Sequence, residues 1–179
     1  MEKWGITYSI QLKHMPVSDQ GVTKDRYSLI PRILIFVRRG DEYLLIKGAA
    51  TKHLWAGKYN GLGGHVERGE NVLTAARREL LEETGLTADL RLCGTLIVDA
   101  GEKGVALFIF VGERPNGNIK LSQEGKVEWV RLDALANLPL VEDLEALLSK
   151  IHKIQSGDPP FAARSFYREN GKLQVDFAG

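Results

Sequence analysis

The chain has 179 residues, 44% of them hydrophobic and 26% charged, the size and balance of one globular domain with a core of its own. A formal net charge of +1 predicts no extended polyanion-binding surface, so a nucleic-acid polymer is not an expected partner and any basic phosphate-binding feature must be local. The single cysteine, Cys93, excludes an internal disulfide and fits a reducing compartment; it sits in an apolar stretch without metal-ligand spacing and reads as a packing residue.

Residues 1–27 read as an N-terminal extension, with an extra strand over 5–12 and a loop over 13–27 that contains Pro16, Ser18, Asp19 and Gly21. No apolar run of signal-peptide type stands near the start, and the longest aliphatic run, 33–37, is far too short to span a bilayer. These features point to a cytoplasmic protein with no membrane partner. The main domain is expected over 28–179. Its first element, 28–38, is apolar on both faces, as in a covered central strand. The turn Arg39-Gly40-Asp41 and a second strand over 42–47 complete a hairpin. Residues 48–60 read as a loop at the mouth of a site, where Trp55 and Tyr59, together with Trp4, are exposed-looking aromatics.

A helix follows over about 71–84, with Asn71 as N-cap, Gly85 just past its end, and Leu73, Ala76 and Leu80 as the buried stripe. Strands over 89–99 and 104–112, a loop over 114–118 and a short strand over 127–132 come next. Asp133 is expected to cap a short helix over 134–137 that Pro139 ends. A longer helix over 140–153 carries Leu144, Leu147, Leu148 and Ile151 on one side. After Pro159-Pro160 the tail reads as a hairpin, 161–167 and 172–177, turned at Asn170-Gly171. Strands, helix, strands, helix imply an α/β fold with a mixed sheet flanked by helices.

Chemistry concentrates between Gly64 and Leu86. Glu79, Glu82 and Glu83 stand at i, i+3 and i+4, so their carboxylates share one helix face next to the apolar stripe. Like charges so close repel, and a hard divalent cation would reverse the sign. Arg78, one turn before Glu82, can hold a carboxylate by charge-assisted bonds. The Gly63-Gly64 pair upstream lets backbone approach a metal or phosphate with no Cβ in the way. The alternative is a solvated charged helix face.

These residues resemble the Nudix box, G-x5-E-x7-R-E-U-x-E-E-x-G-U with U aliphatic. Gly64, Glu70, Arg78, Glu79, Leu80, Glu82, Glu83, Gly85 and Leu86 fill it without a departure. The resemblance implies a Nudix α/β/α sandwich over about 28–153 and hydrolysis of a nucleoside diphosphate linked to another group, with Mg²⁺ or Mn²⁺. It implies Glu82, Glu83 and the Gly63 carbonyl as metal ligands, with Glu79 among them or orienting the attacking water. Arg78 would position Glu79, and Glu70 and Gly64 would support the site. Glu124, five residues before Trp129, matches the later acidic residue of the family, so the general-base role is shared between Glu79 and Glu124. Lys47 is a candidate to neutralise a phosphate.

The segment 59–64 is similar to the MutT-like branch, which hydrolyses oxidised purine nucleoside triphosphates such as 8-oxo-dGTP. There the residue at Asn60 contacts the base, and acidic residues at Glu142 and Asp143 read its edge. Val141 stands where that branch usually has a tryptophan. Two alternatives remain: a Nudix hydrolase of another diphosphate such as a nucleotide sugar, and a nucleotide-sensing Nudix domain without catalysis. Oligomeric state is left open.

Overall fold

The first strand divides the molecule into two cores. In the computed structural model, which describes residues 21, 23, 25–51, 54–120, 122 and 124–178, β1 (Ser28–Arg39) is buried continuously from Ile33 to Val37. Successive side chains of a strand point to opposite faces. Ile33, Ile35 and Val37 accordingly join one cluster with Ala75, Ala76 and Leu80, while Leu34 and Phe36 join a second with Leu144, Leu147 and Leu148. A helix covers each face, so the layers are α/β/α. The strand expected over 5–12, and Trp4, lie outside the described residues.

Among the described residues the strands form one mixed sheet in the order β3-β2-β1-β5-β4-β7-β8, with β6 on β2. The remaining strands are β2 (Glu42–Gly48), β3 (Tyr59–Asn60), β4 (Thr87–Val98), β5 (Lys103–Asn116), β6 (Gly125–Arg131), β7 (Phe161–Tyr167) and β8 (Leu173–Phe177). β1 runs parallel to β5, and β4 parallel to β7; the other pairs are antiparallel. The helices are α1 (Val72–Thr84) and α2 (Leu144–Lys153), with a 3-10 helix over Leu132–Asn137. No described helix is long and apolar enough to cross a membrane.

A fork between β1 and β2 prepares the site. β2 gives one whole edge to β6, from Glu42↔Arg131 to Gly48↔Gly125. Its other edge pairs with β1 only as far as Val37↔Leu44 and then with β3, at Ile46↔Asn60. Gly61 to His65 continue from β3 along the β1 edge that β2 has left. Ile35 and Leu62 exchange backbone bonds of 2.7 and 3.1 Å, and the Ile33 N–H donates to the Gly64 carbonyl at 2.8 Å. The glycines are required by this insertion. At Gly63, φ is 134° and a Cβ would stand 2.9 Å from the Ile33 carbonyl carbon, nearer still to its oxygen.

Four local expectations are corrected. Residues 114–116, expected in a loop, belong to β5 because β4 begins early enough to pair Thr87 with Asn116; Arg114, at a left-handed φ of 52°, accommodates the register shift. Residues 140–143 do not join α2, because strand pairing claims them: the Tyr59 N–H donates to the Pro139 carbonyl at 2.8 Å, and the Val141 N–H to Tyr59 at 3.0 Å. Asp133 lies inside the 3-10 helix and caps nothing, its carboxylate being held by Arg131 at 2.8 Å. Tyr59 is only 6% exposed, since β3 is flanked by β2 on one side and by residues 139–141 on the other.

Candidate active site

α1 is framed by its ends. Asn71 Oδ1 accepts the N–H groups of Leu73 (3.1 Å) and Thr74 (2.9 Å), and Gly85, at φ 76°, donates its N–H to the Leu81 carbonyl. Between these caps Ala75, Ala76 and Leu80 face the sheet, with Leu73 packed against the same cluster. Glu83 is carried to the rim of that core and is 7% exposed. Its Oε2 accepts the Gly63 N–H at 2.8 Å, which joins the helix to the inserted glycine segment.

Arg78 gathers the other carboxylates. Nε and Nη2 hold both oxygens of Glu70 at 2.8 and 2.9 Å, and Nη1 holds Glu79 at 2.9 Å and Glu82 at 3.2 Å. Nη2 also donates to the His65 carbonyl at 3.0 Å, so every N–H of the fork has an acceptor. The Glu70 bonds, with those to Glu79 and Glu82, raise the guanidinium pKa far above its ordinary value. In return Arg78, helped by the Glu67 N–H, holds the Glu70 carboxyl below its ordinary range. Glu79 packs over the bare Cα of Gly64: a Cβ there would stand 2.7 Å from the Glu79 carboxyl carbon. The absence of that Cβ makes the cradle in which Glu79 lies.

From this corner a cleft of about 390 Å³ runs across the sheet. Gly63, Glu83 and Glu124 line it at the helix end; Asn60, Glu142 and Asp143 line it further along. Its apolar lining includes Leu34, Val98, Val105 and Leu107, with Leu54 and Trp55 from the loop between β2 and β3. That loop has a closed neck. The Gly48 N–H donates to Lys58 at 3.0 Å and the Gly57 N–H to Gly48 at 2.9 Å, while the Ala49 N–H takes the Glu124 carbonyl at 3.1 Å. Asn60 Oδ1 accepts the next N–H, that of Gly61, at 2.8 Å. Asp143 stands at the start of α2 without capping it, and burial raises its pKa, with the neighbouring Glu142 charge adding to the effect.

Lys47 is not in this cleft. It lines a separate groove with Lys120 and Lys126, its Nζ 5.4 Å from the Tyr59 ring centre. The Tyr59 hydroxyl donates to Glu128, a bond that, with burial, pushes its pKa up to about 12. Sequence reasoning missed Arg32, Ser165 and Tyr167, all of which line the cleft. Strand alternation in 161–167 puts Ser165 and Tyr167 on the same face as Phe161, but only the sheet order shows which face meets the cleft. Cys93 is buried with its thiol on the Ile109 carbonyl at 3.4 Å, and burial pushes its pKa up to about 11, as suits a packing residue.

Comparison with known proteins identifies the family of the fold. A NUDIX domain family model matches residues 29–151. The chain is similar to an oxidized purine nucleoside triphosphate hydrolase of Danio rerio, 37% identical over 105 residues, which are 57% of this chain and 66% of that protein. It is also similar to a NAD-capped RNA hydrolase of Chromobacterium violaceum, 34% identical over 62% of this chain and 41% of that protein. The aligned part thus spans less than two thirds of either relative. Among solved structures, a MutT protein of Bacillus halodurans superposes with a TM-score of 0.70 at 25% identity, covering 83% of this chain and 97% of that one. The intact box on α1, the sandwich around it and the family match lead to one assignment: the chain belongs to the Nudix family.

Proposed function

We propose that this Nudix hydrolase is a MutT-like pyrophosphohydrolase, cleaving a nucleoside triphosphate, with an oxidised purine nucleotide as the preferred class, to monophosphate and pyrophosphate. The observation that carries the reading is one shared cleft. Gly61, Gly63, Glu83 of α1 and Glu124 line one end, and Asn60, Glu142 and Asp143 line an apolar chamber beyond them. Pockets of this volume and mixed lining suit a nucleotide-sized ligand. The resemblance to an oxidized purine nucleoside triphosphate hydrolase supports the same class.

The donor set fits a hard divalent cation, Mg²⁺ or Mn²⁺. Carboxylate oxygens are its preferred ligands, and the bare Cα of Gly64 leaves room for the Glu79 carboxylate beside the backbone. Among the described residues no group of three or more acidic, His or Cys side chains is drawn together into a closed metal site; there Arg78 neutralises Glu70, Glu79 and Glu82. Glu82, Glu83, Glu79 and the Gly63 carbonyl would hold the ion. It would supply charge neutralisation at the phosphates and lower the pKa of bound water.

The chain's own residues do the rest. Glu79 or Glu124 accepts the proton of the attacking water, and Arg78 keeps Glu79 in place while Glu70 anchors Arg78 from the far side. Asn60, Glu142 and Asp143 offer the base edge an amide and two carboxyls. Lys47, lying in the neighbouring groove, would act on the substrate only through its long-range charge.

The test is a panel of ATP, GTP, dGTP, 8-oxo-dGTP, NAD and a nucleotide sugar with Mg²⁺, read as monophosphate and pyrophosphate release. Preferred turnover of a purine triphosphate is expected. Faster cleavage of NAD would favour the second reading, another diphosphate substrate, which the likeness to a NAD-capped RNA hydrolase supports. Binding without any turnover would mark a sensing domain.

A further inference from the structure

The C-terminal hairpin lies beyond residues 29–151, where the family model matches, yet it enters the cleft. β7 pairs in parallel with β4 from Gly94↔Phe161 to Val98↔Ser165, and β8 closes the edge beyond it. The inner face of the hairpin changes character along its length. Phe161, Ala163, Val175 and Phe177 pack on the α2-side core, whereas Ser165, Tyr167 and Leu173 line the cleft. Strands β5 and β4 stand between β1 and β7, so Ser165 is about 14 Å across the sheet from the β1 residues beside Gly63.

Two features of this wall are unexplained by folding. Ser165 is 1% exposed; its carbonyl accepts the Asp99 N–H at 2.9 Å, but its Oγ has no hydrogen-bond partner. Buried polar atoms are nearly always satisfied, so an orphan needs a reason. Among the described residues only Arg32, Arg91 and Ser165 carry such atoms, and two of the three, Arg32 and Ser165, line this one cleft from opposite sides. The second feature is a clasp: the Tyr167 hydroxyl donates to Glu142 Oε2 at 2.7 Å, tying the end of β7 to the segment before α2. A largely exposed tyrosine gains little core packing there, and the bond fixes a carboxylate that itself lines the cleft.

We infer that the β7–β8 hairpin forms the far wall of the base subsite, in which Ser165 hydrogen-bonds the nucleobase and Tyr167 positions Glu142 toward it. The inference rests on the nucleotide-hydrolase reading and deepens it: the ligand is a purine base with a polar edge that a hydroxyl can meet as donor or acceptor. Ser165 is then a specificity-determining residue, and Tyr167 a positioning residue that acts only through Glu142.

The experiment uses the full chain and measures two quantities for wild type, Ser165→Ala, Tyr167→Phe, Glu142→Ala and the Tyr167→Phe/Glu142→Ala double variant. One is equilibrium binding of GMP and 8-oxo-dGMP; the other is KM and kcat for the triphosphate that turns over best. Equal thermal midpoints establish that the variants fold. Ser165→Ala and Tyr167→Phe should each weaken base binding and raise KM about 3- to 10-fold with kcat retained, the range of one hydrogen bond. Adding Tyr167→Phe to Glu142→Ala should change nothing further, because its only route is gone. Binding and KM unchanged within two-fold in both single variants would overturn the inference while leaving the hydrolase reading intact. If wild type binds neither monophosphate, the base subsite falls, whether or not a triphosphate is cleaved.

Discussion

Replacing Gly64 by alanine tests how Glu79 is held. The new methyl would stand 2.7 Å from the Glu79 carboxyl carbon and 2.8 Å from Oε2, closer still to Oε1. Ordinary contact begins near 3.4 Å, so the carboxylate must retreat by at least about 0.7 Å. Displacements of about 1 Å in a catalytic group cost on the order of 10²-fold in rate. The obstructed atoms are the far end of a flexible side chain, so the fold can yield at low cost. An alanine also restricts the unfolded chain, worth about 0.4–1 kcal/mol in favour of the folded state. Gly64→Ala should therefore lose about 10²-fold in kcat, while Tm in a calorimetric scan stays within about 4 °C of wild type. Gly63→Ala is the contrast: its φ of 134° and its contact with the Ile33 carbonyl strain backbone, and Tm should fall well beyond that range. Full activity in Gly64→Ala, or a loss of rate matched by a loss of Tm, would refute the reasoning.

Glu83→Gln keeps an oxygen for the Gly63 N–H, so Tm should move little while turnover falls by orders of magnitude; near-normal turnover at saturating Mg²⁺ would exclude Glu83 from the chemistry. Leu80→Ala, at a site 1% exposed beneath α1, should cost about 3 kcal/mol in urea unfolding, and a loss below about 1 kcal/mol would mean that the helix is not seated as described. Asp143 has a raised folded pKa from burial, so the folded state binds its proton more readily than the unfolded chain does. Its ionisation cost is absent below the ordinary value of 3.8 and grows as pH climbs through the raised folded value. Asp143→Asn should thus be more stable than wild type near neutral pH, with the gain vanishing towards that acid limit. A pH-independent difference in Tm would contradict it.

The box was legible because its constraint is local. A helix turns 3.6 residues at a time, so spacing alone sets Glu79, Glu82 and Glu83 on one face, and Asn71 and Gly85 announce their roles by residue type. The central strand was equally plain, since an unbroken apolar run has to be covered on both sides. What sequence could not show were properties of pairing between distant segments. Leu140 and Val141 look like the first turn of a helix until Tyr59 claims their neighbourhood. Lys47 stands at the end of the expected second strand and one residue before its end in the structure. Pairing with Tyr59, however, puts its ammonium over that ring and in the neighbouring groove, not the main cleft. Ser165 looks like any small strand residue, because nothing nearby in sequence tells that two intervening strands separate it from β1 across the cleft it lines.

The closed neck between Gly48 and Lys58 separates what can vary from what cannot. Because backbone bonds join its two ends, the loop that carries Leu54 and Trp55 to the cleft mouth is anchored independently of its tip. Lengthening such a loop costs only about 0.6 kcal/mol per doubling. Insertions or exchanges at the tip should therefore change what may enter the cleft while Gly63, held along β1, stays fixed. The scaffold thus separates a loop open to change from the glycine segment along β1, which would be inherited intact.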